Sequence, residues 1–421
     1  MAPEAQNPIP SDTPEKGQLQ INLTSEINSF PIENARVRIS YTGVPDSQLE
    51  ELITDSSGQT EAIELATPPL EYSLDVNNEQ QPYSEYTIQV DAEGYESISV
   101  AGAELLPTVK SLQYIRLRPL DTTGSQDVFV IPAHTLYGTY PSKIPEEEIK
   151  PITESGEIVL SRVVVPEYIV VHDGSPRDST ATNYYVKYKD YIKNVASSEI
   201  YATWPENTIR ANVLAIMSFT LNRVYTEWYR NQGYDFTITS STAFDHKWIP
   251  ERNIFDSISI IVDELFASYL SRPNVKQPIL TQYCDGRQVQ CPNWLTQWGS
   301  KSLGDQGYST IEILRYYYGD DIYINTAEAI SGIPSSWPGY DLEQGSSGQK
   351  VRQMQEQLNV IADAYPAIPK VNADGIYGPA TAASVRKFQS VFGLPVTGIV
   401  DYKTWYKISE IYVGVSRIAE L

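Results

Sequence analysis

The chain has 421 residues, which at about 150 residues per domain points to two to four domains. Apolar residues make up 41% and charged residues 20%, values that supply hydrophobic cores and exclude wholesale disorder. A net charge of −22 repels phosphate backbones and anionic lipid, so nucleic acid and membrane surfaces are poor partners, and no apolar run approaches the length expected for membrane insertion. Tyrosine is abundant, 30 residues against 9 phenylalanines, and its flat apolar face with a polar rim suits sugar rings as well as protein interfaces. Residues 1–17, MAPEAQNPIPSDTPEKG, lack the basic and apolar regions of a secretory signal and read as a disordered Pro-rich tail.

From 18 to 119 the pattern is short alternating runs separated by turns. QLQINL, ARVRIS, EYTIQVDA, YESISV and SLQYIRLRP read as strands of period two, and their density predicts a small β-sandwich. The order Pro31-Ile32-Glu33-Asn34-Ala35-Arg36-Val37, then Thr54-Asp55-Ser56-Ser57-Gly58, then Gly94-Tyr95 resembles the carboxypeptidase-regulatory-like, transthyretin-like sandwich. No chemistry-bearing cluster stands out there, so a structural or protein-contact module is expected. Residues 120–162 read as a linker, polar from Asp121 to Gln126 and then broken by Pro141 and Pro145.

Globular patterning resumes at 163. VVVPEYIVVHDG reads as a strand pair, and a helix follows from about Tyr188. Tyr188, Tyr191, Ile192, Val195 and Ala196 form its apolar stripe, and the next member is Glu199. A carboxyl buried at that position would be pushed toward the pKa of a general acid; a helix end turned to solvent would leave it an ordinary surface group. A second helix is expected from Pro205 to about Gln232, a third from Ile254 to Leu270, a sheet-like segment at Pro278–Tyr283, and a fourth helix from Ser309 to Tyr317. Cys284 and Cys291 can form one bridge or stay free; with His246 they make an incomplete zinc set.

The middle region carries a resemblance. Asp190-Tyr191-Ile192-Lys193-Asn194-Val195-Ala196-Ser197-Ser198-Glu199-Ile200, Trp204-Pro205 and Arg210-Ala211-Asn212-Val213-Leu214-Ala215 resemble the core motif of the SpoIID/LytB family. Leu295-Thr296-Gln297-Trp298-Gly299-Ser300, Gly307-Tyr308-Ser309 and Ile313-Leu314-Arg315-Tyr316-Tyr317-Tyr318-Gly319 resemble its closing signature, so the match covers 163–325. The resemblance implies an α+β lytic transglycosylase acting on peptidoglycan glycan strands, with Glu199 as its catalytic acid. Trp204, Tyr283 and Gln297 are the candidates for holding the sugar. Two departures bear on substrate contacts: Met217-Ser218-Phe219 where the family has an Arg-Thr-Tyr run, and Cys291-Pro292-Asn293-Trp294 in place of His-Gly-x-Gly.

After a second linker at 326–341, residues 342–421 carry another pattern. Gln349-Lys350-Val351, Asp374-Gly375-Ile376-Tyr377-Gly378-Pro379-Ala380-Thr381, Val385-Arg386-Lys387-Phe388-Gln389 and the partial repeat Thr397-Gly398-Ile399-Val400-Asp401 to Trp405 resemble the peptidoglycan-binding domain type 1, a three-helix module. The whole order resembles the pro-forms of spore cortex-lytic enzymes of the SleC type. That likeness implies cortex peptidoglycan as substrate, location in the spore's cortex and coat region without a signal peptide, and a zymogen activated by a subtilisin-like protease. The cut is expected within Leu120–Val130, near Ser125-Gln126-Asp127. No cofactor or metal is required. The rivals are an N-acetylmuramoyl-L-alanine amidase, which would want zinc from His134, His172 or His246, and a non-catalytic wall-binding or activator protein.

Overall fold

The computed structural model describes residues 14–44, 47–120, 126–150, 160–332 and 337–416. Strands dominate the N-terminal third: β1 (Glu15–Ser25), β2 (Arg36–Tyr41), β3 (Gln48–Ile53) and β4 (Ile63–Thr67), then the one-turn helix α1 (Glu71–Leu74). β5 (Ser84–Asp91), β6 (Ser97–Leu105), β7 (Lys110–Leu117) and β8 (Gln126–Val130) complete it. Alternation sets the core: Leu19, Ile21 and Leu23 of β1 meet Val37 and Ile39 of β2 and Ile88 and Val90 of β5. Two sheets close on these side chains, one built on β7-β1-β4 and one ordered β3-β2-β5-β6-β8.

β8 corrects the linker reading. Gln126–Val130 runs parallel to β6, from Gln126 opposite Ser97 to Val130 opposite Ala101, and Phe129 packs on the sheet core. An open sheet edge offers backbone partners that a polar sequence does not announce. At the other end Glu15–Gly17, read as tail, already belongs to β1. Residues 1–13 and 121–125 lie outside the described residues, and with them most of the tail and Ser125.

The middle region begins with β9 (Val164–Val165), β10 (Tyr168–His172), β11 (Asn183–Lys187), α2 (Tyr188–Glu199) and α3 (Glu206–Tyr225). β12 (Ile238–Thr239), β13 (Ile254–Phe255), α4 (Asp256–Leu265), β14 (Ser268–Ser271), β15 (Tyr283–Cys284) and β16 (Leu295–Thr296) follow. It ends with α5 (Gln297–Asp305), α6 (Thr310–Tyr318), β17 (Tyr323–Thr326) and β18 (Ala329–Ile330). Every residue of α3 from Ala211 to Tyr225 is buried, so it is the central helix. It stops at Tyr225 rather than Gln232 because Glu227 adopts a left-handed φ of 47°. The third helix is shorter than its pattern at both ends: Ile254–Phe255 pair with β7, and Ser268–Ser271 pair with β17. β9 and β10 do not pair with each other; β9 joins β18, and β10 lies between β11 and β12.

The N-terminal and middle regions are sewn together. Besides β13 on β7, Arg252 and Glu104 form an ion pair at 2.7 Å with both side chains all but inaccessible. Tyr83 is buried in the core of the middle region. At the C-terminal end stand α7 (Gln349–Ala364), α8 (Pro379–Val391) and α9 (Tyr402–Ser416). The sequence repeat is a structural one. Gln355 accepts from Gly375 N–H (2.9 Å) and donates to Thr381 Oγ1 (3.0 Å). Gln389 does the same with Gly398 (2.8 Å) and Thr404 (3.2 Å), and both glycines hold positive φ. α9 docks on α4, with Phe266 5.5 Å from the Tyr402 ring and Lys403 2.8 Å from Glu264. Among the described residues no helix is long and apolar enough to cross a membrane.

Candidate active site around Glu199

The stripe on α2 fixes the site. Tyr191, Ile192, Val195 and Ala196 are fully buried, and the same face carries Glu199 inward in the last turn, where it is 4% exposed. Its carboxylate accepts from three elements distant in sequence. The Lys247 N–H reaches Oε1 at 2.9 Å, while Gln297 Nε2 and the Thr135 hydroxyl reach Oε2 at 3.2 and 3.3 Å. Gln297 Nε2 also donates to the Glu199 backbone carbonyl at 2.9 Å. At 2% exposed, Gln297 fixes the orientation of the carboxyl group rather than presenting a free amide to a sugar.

Glu199, Tyr283 and Gln297 share one cavity of about 50 Å³ with Thr135, Tyr140 and Lys143. The Tyr283 hydroxyl is buried there, close to the Glu199 carboxylate. Burial, reinforced by the Glu199 carboxylate, pushes its ionisation well above the usual range. The Tyr283 ring lies between His246, stacked at 5.7 Å, and the Lys143 ammonium, 4.9 Å from the ring centroid. Burial lowers the pKa of Lys143, although Glu199 and Asp245 pull the other way, and its ammonium donates to the Asp245 carbonyl. Asp285 also borders the cavity, but its oxygens are bound at 2.6 and 2.8 Å by the N–H groups of Gln288 and Val289 in its own loop. Glu199 and Asp285 are thus the two carboxyl groups on this cavity, each with both oxygens hydrogen-bonded.

Trp204 is not with them. It is 3% exposed, packed 5.0 Å from the Trp298 ring, and its indole N–H donates to Ser73 of α1 at 2.9 Å. Its expected role as a sugar platform is corrected to a packing role at the seam with the N-terminal sheets. The cysteines pair with each other, Cys284–Cys291, at one side of the cavity. His246 is fully buried, its Nδ1 3.1 Å from the Tyr191 hydroxyl and its ring 4.4 Å from Phe219, so the zinc trio does not form.

The chain that follows β8 forms part of the site's wall. Residues 131–150 make a strap that brings Thr135, Tyr140, Pro141 and Lys143 to the cavity. At its near end Tyr83 accepts from the His134 N–H at 3.0 Å, and the His134 ring packs tilted against Tyr201 with centroids 4.6 Å apart. At its far end Glu146 holds the buried Arg223 through both oxygens (2.6 and 3.0 Å), and Arg223 also holds Asp245 at 2.7 Å. Glu148 grips Arg272 with two bonds of 2.8 Å, and Gln282 and Gln277 clamp the backbone at Ile144–Glu146 and Lys150. Sequence reasoning missed Thr135, Lys143 and Lys247. The first two lie in a Pro-broken stretch with no periodic signal, and the third acts through its backbone.

Residues 347–408 match the family described as "Putative peptidoglycan binding domain", so the chain carries a C-terminal peptidoglycan-binding domain. Over 77 residues it is 40% identical to the zinc D-Ala-D-Ala carboxypeptidase of Streptomyces albus G, covering 18% of this chain and 28% of that one. Over 68 residues it is 41% identical to an uncharacterized protein from the bpoA1 3′ region of Kitasatospora aureofaciens, covering 16% and 53%. The chain thus spans less than two thirds of either relative. Among solved structures it is similar to the SleB N-terminal domain, at 28% identity, 18% of this chain, 99% of that chain and a TM-score of 0.16. It is also similar to the 5-hydroxyisourate hydrolase of Klebsiella pneumoniae, at 16% identity, 25% and 92% coverage and a TM-score of 0.17.

Proposed function

We propose that the chain is a lytic transglycosylase of spore cortex peptidoglycan, stored as a zymogen in the cortex and coat region. The observation that carries the reading is Glu199: a carboxyl group buried at a cavity and oriented by Gln297 and Lys247, in a chain that also carries a peptidoglycan-binding domain. A protonated Glu199 donates to the glycosidic oxygen between MurNAc and GlcNAc as the ring acquires oxocarbenium character. The carboxylate then removes the proton of the MurNAc 6-hydroxyl, whose oxygen closes a 1,6-anhydro ring. No water attacks, so the second carboxyl group of an ordinary glycosidase is not needed. Tyr283 lines the same cavity, which supports a role for it in holding the sugar.

The strap supports storage in an inactive form. A saccharide site needs at least about 300 Å³, several times the volume now open beside Glu199. A cut near Ser125–Asp127 would leave residues 131–150 in place, so the activating cut falls beyond Lys150, with the strap on the departing side. Digesting cortex with activated protein and with its Glu199→Gln variant tests the function. The wild type should release 1,6-anhydro-MurNAc ends and the variant should not. Freed stem peptides with intact glycan would instead mean an amidase, and no products at all a binding protein.

A further inference from the structure

A second, larger cleft lies away from Glu199, where the three parts of the chain meet. It holds about 460 Å³ between β1 and β7, α2 and the Trp248–Arg252 segment, and α9 with Tyr365 and Phe392 of the C-terminal module. That volume suits a ligand of a few residues. The module is fastened at the cleft by the N-terminal sheets. Gln59 Nε2 donates to the Val391 carbonyl at 2.5 Å, and the Tyr365 hydroxyl to the Ser29 carbonyl at 3.2 Å.

Charge is sorted along this cleft. Where α2 faces α9, Lys189, Lys193 and Lys407 share two carboxylates, Asp263 and Glu410, at 2.6 to 3.3 Å. Lys187 lines the same end, close enough to Glu410 to be felt by it, and forms no ion pair among the described residues. Arg116 stands beside them, 3.4 Å from Asp190. The opposite end, where β1 and β7 finish and β6 and β8 begin, is acidic. There Glu26, Glu96, Asp127 and Glu251 outnumber Arg118, which lies 3.2 Å from Glu26 and 3.8 Å from Glu96. Arg252 also borders the cleft, but Glu104 matches its charge at 2.7 Å. Asp127 and Glu251 form no ion pair among the described residues. Burial pushes Glu251 up to about 7 against the pull of Arg116, and the Glu26 and Asp127 carboxylates add to the rise.

Unmatched charges of opposite sign at the two ends favour a ligand that carries a carboxylate and an ammonium a few bonds apart. Tyr114 and Tyr185, 48% and 73% exposed, offer flat faces between them. A chain with a peptidoglycan-binding domain meets such a molecule in the stem peptide. Its γ-linked glutamate keeps a free carboxylate, and its diamino acid keeps a free ammonium.

We propose that this cleft binds the stem peptide of peptidoglycan, its glutamate carboxylate at Lys187 and Arg116 and its ammonium at Glu26 and Asp127. The site is independent of the role assigned to Glu199. The probe is acetyl-L-Ala-γ-D-Glu-meso-diaminopimelate, titrated into the full chain by calorimetry at low ionic strength. It should bind about tenfold more tightly than the same peptide with its ammonium acetylated or with its carboxylates amidated. Lys187→Gln with Arg116→Gln should lose about tenfold in affinity and cease to distinguish the amidated peptide, while still rejecting the acetylated one. Glu26→Gln with Asp127→Asn should do the converse. All four side chains are half-buried or exposed, so the fold should survive, and an unchanged melting temperature checks that. Equal binding of the three peptides, binding that both double variants leave intact, or no binding at all would each overturn the proposal. None of these results bears on Glu199, which the products of cortex digestion test separately.

Discussion

If the strap keeps substrate from Glu199, loosening its anchors should raise activity without any cut. The pair Glu146→Gln and Glu148→Gln keeps side-chain volume and removes both charges. Breaking a buried ion pair costs about 3–5 kcal/mol, but Arg223 keeps Asp245 at 2.7 Å, so the loss at Glu146 is nearer about 2–3 kcal/mol. The Glu148–Arg272 pair is partly exposed and adds only about 0.5–1 kcal/mol. Together they lower the strap's hold by about 3 kcal/mol, which at about 1.4 kcal/mol per decade raises the open fraction roughly 10²-fold. Loss of turbidity of decoated spores, with anhydro ends counted by mass spectrometry, reads the activity. Hydrogen exchange over residues 131–150 reads the opening. If exchange rises by the calculated order while activity stays flat or falls, the strap is part of the working site and the zymogen argument fails.

Glu199→Gln should lower product release by about 10²-fold or more and leave co-sedimentation with cortex intact; near-normal release would remove Glu199 from the chemistry. Deleting from Leu342 onward should abolish most co-sedimentation, and undiminished pelleting would show that the main anchor lies elsewhere. Two buried carboxyl groups should favour the folded chain on mild acidification. Burial raises Glu85 and Glu251 from about 4.5 to about 7, so between those values the folded chain holds protons that the unfolded chain has lost, and stability falls as pH rises. Burial also holds His134 and His246 well below their usual range and acts in the opposite sense over the same pH window, so the test is a difference: going from pH 7.5 to 5.5, the change in melting temperature should be more negative in Glu85→Gln with Glu251→Gln than in the wild type, and an equal change would refute the assignment. Below about pH 4 the trend should invert, because Lys189 and Lys193 outweigh burial and hold Asp263 at about 2.

What the sequence made legible is local. Alternation located β1, β2, β5 and β7, and the pattern from Ser309 to Tyr317, ending at Gly319, located α6, whose start the structure closes with a Ser309–Glu312 capping box. The Asp374-Gly375 unit and its echo at Gly398 gave the C-terminal module its repeat. The i, i+3, i+4 stripe put Glu199 on the inward face. What stayed hidden comes from long-range partners: Lys247 and Thr135 lie 48 and 64 residues from Glu199. β13 and β14 were lost to helix because their partners β7 and β17 reside in other parts of the chain, and tertiary pairing overrides local preference.

The strands shared across the seam carry a consequence for how the molecule would come apart. β13 completes a sheet begun before residue 120, and Arg252 keeps Glu104 as its buried counter-ion. Severing the backbone beyond Lys150 breaks none of these contacts. A nicked molecule should therefore migrate as two bands in denaturing gels yet elute as a single particle from a sizing column. Its fragments would separate only when something else, such as bound glycan or the pull of an anchored wall, supplies the work of unzipping a sheet.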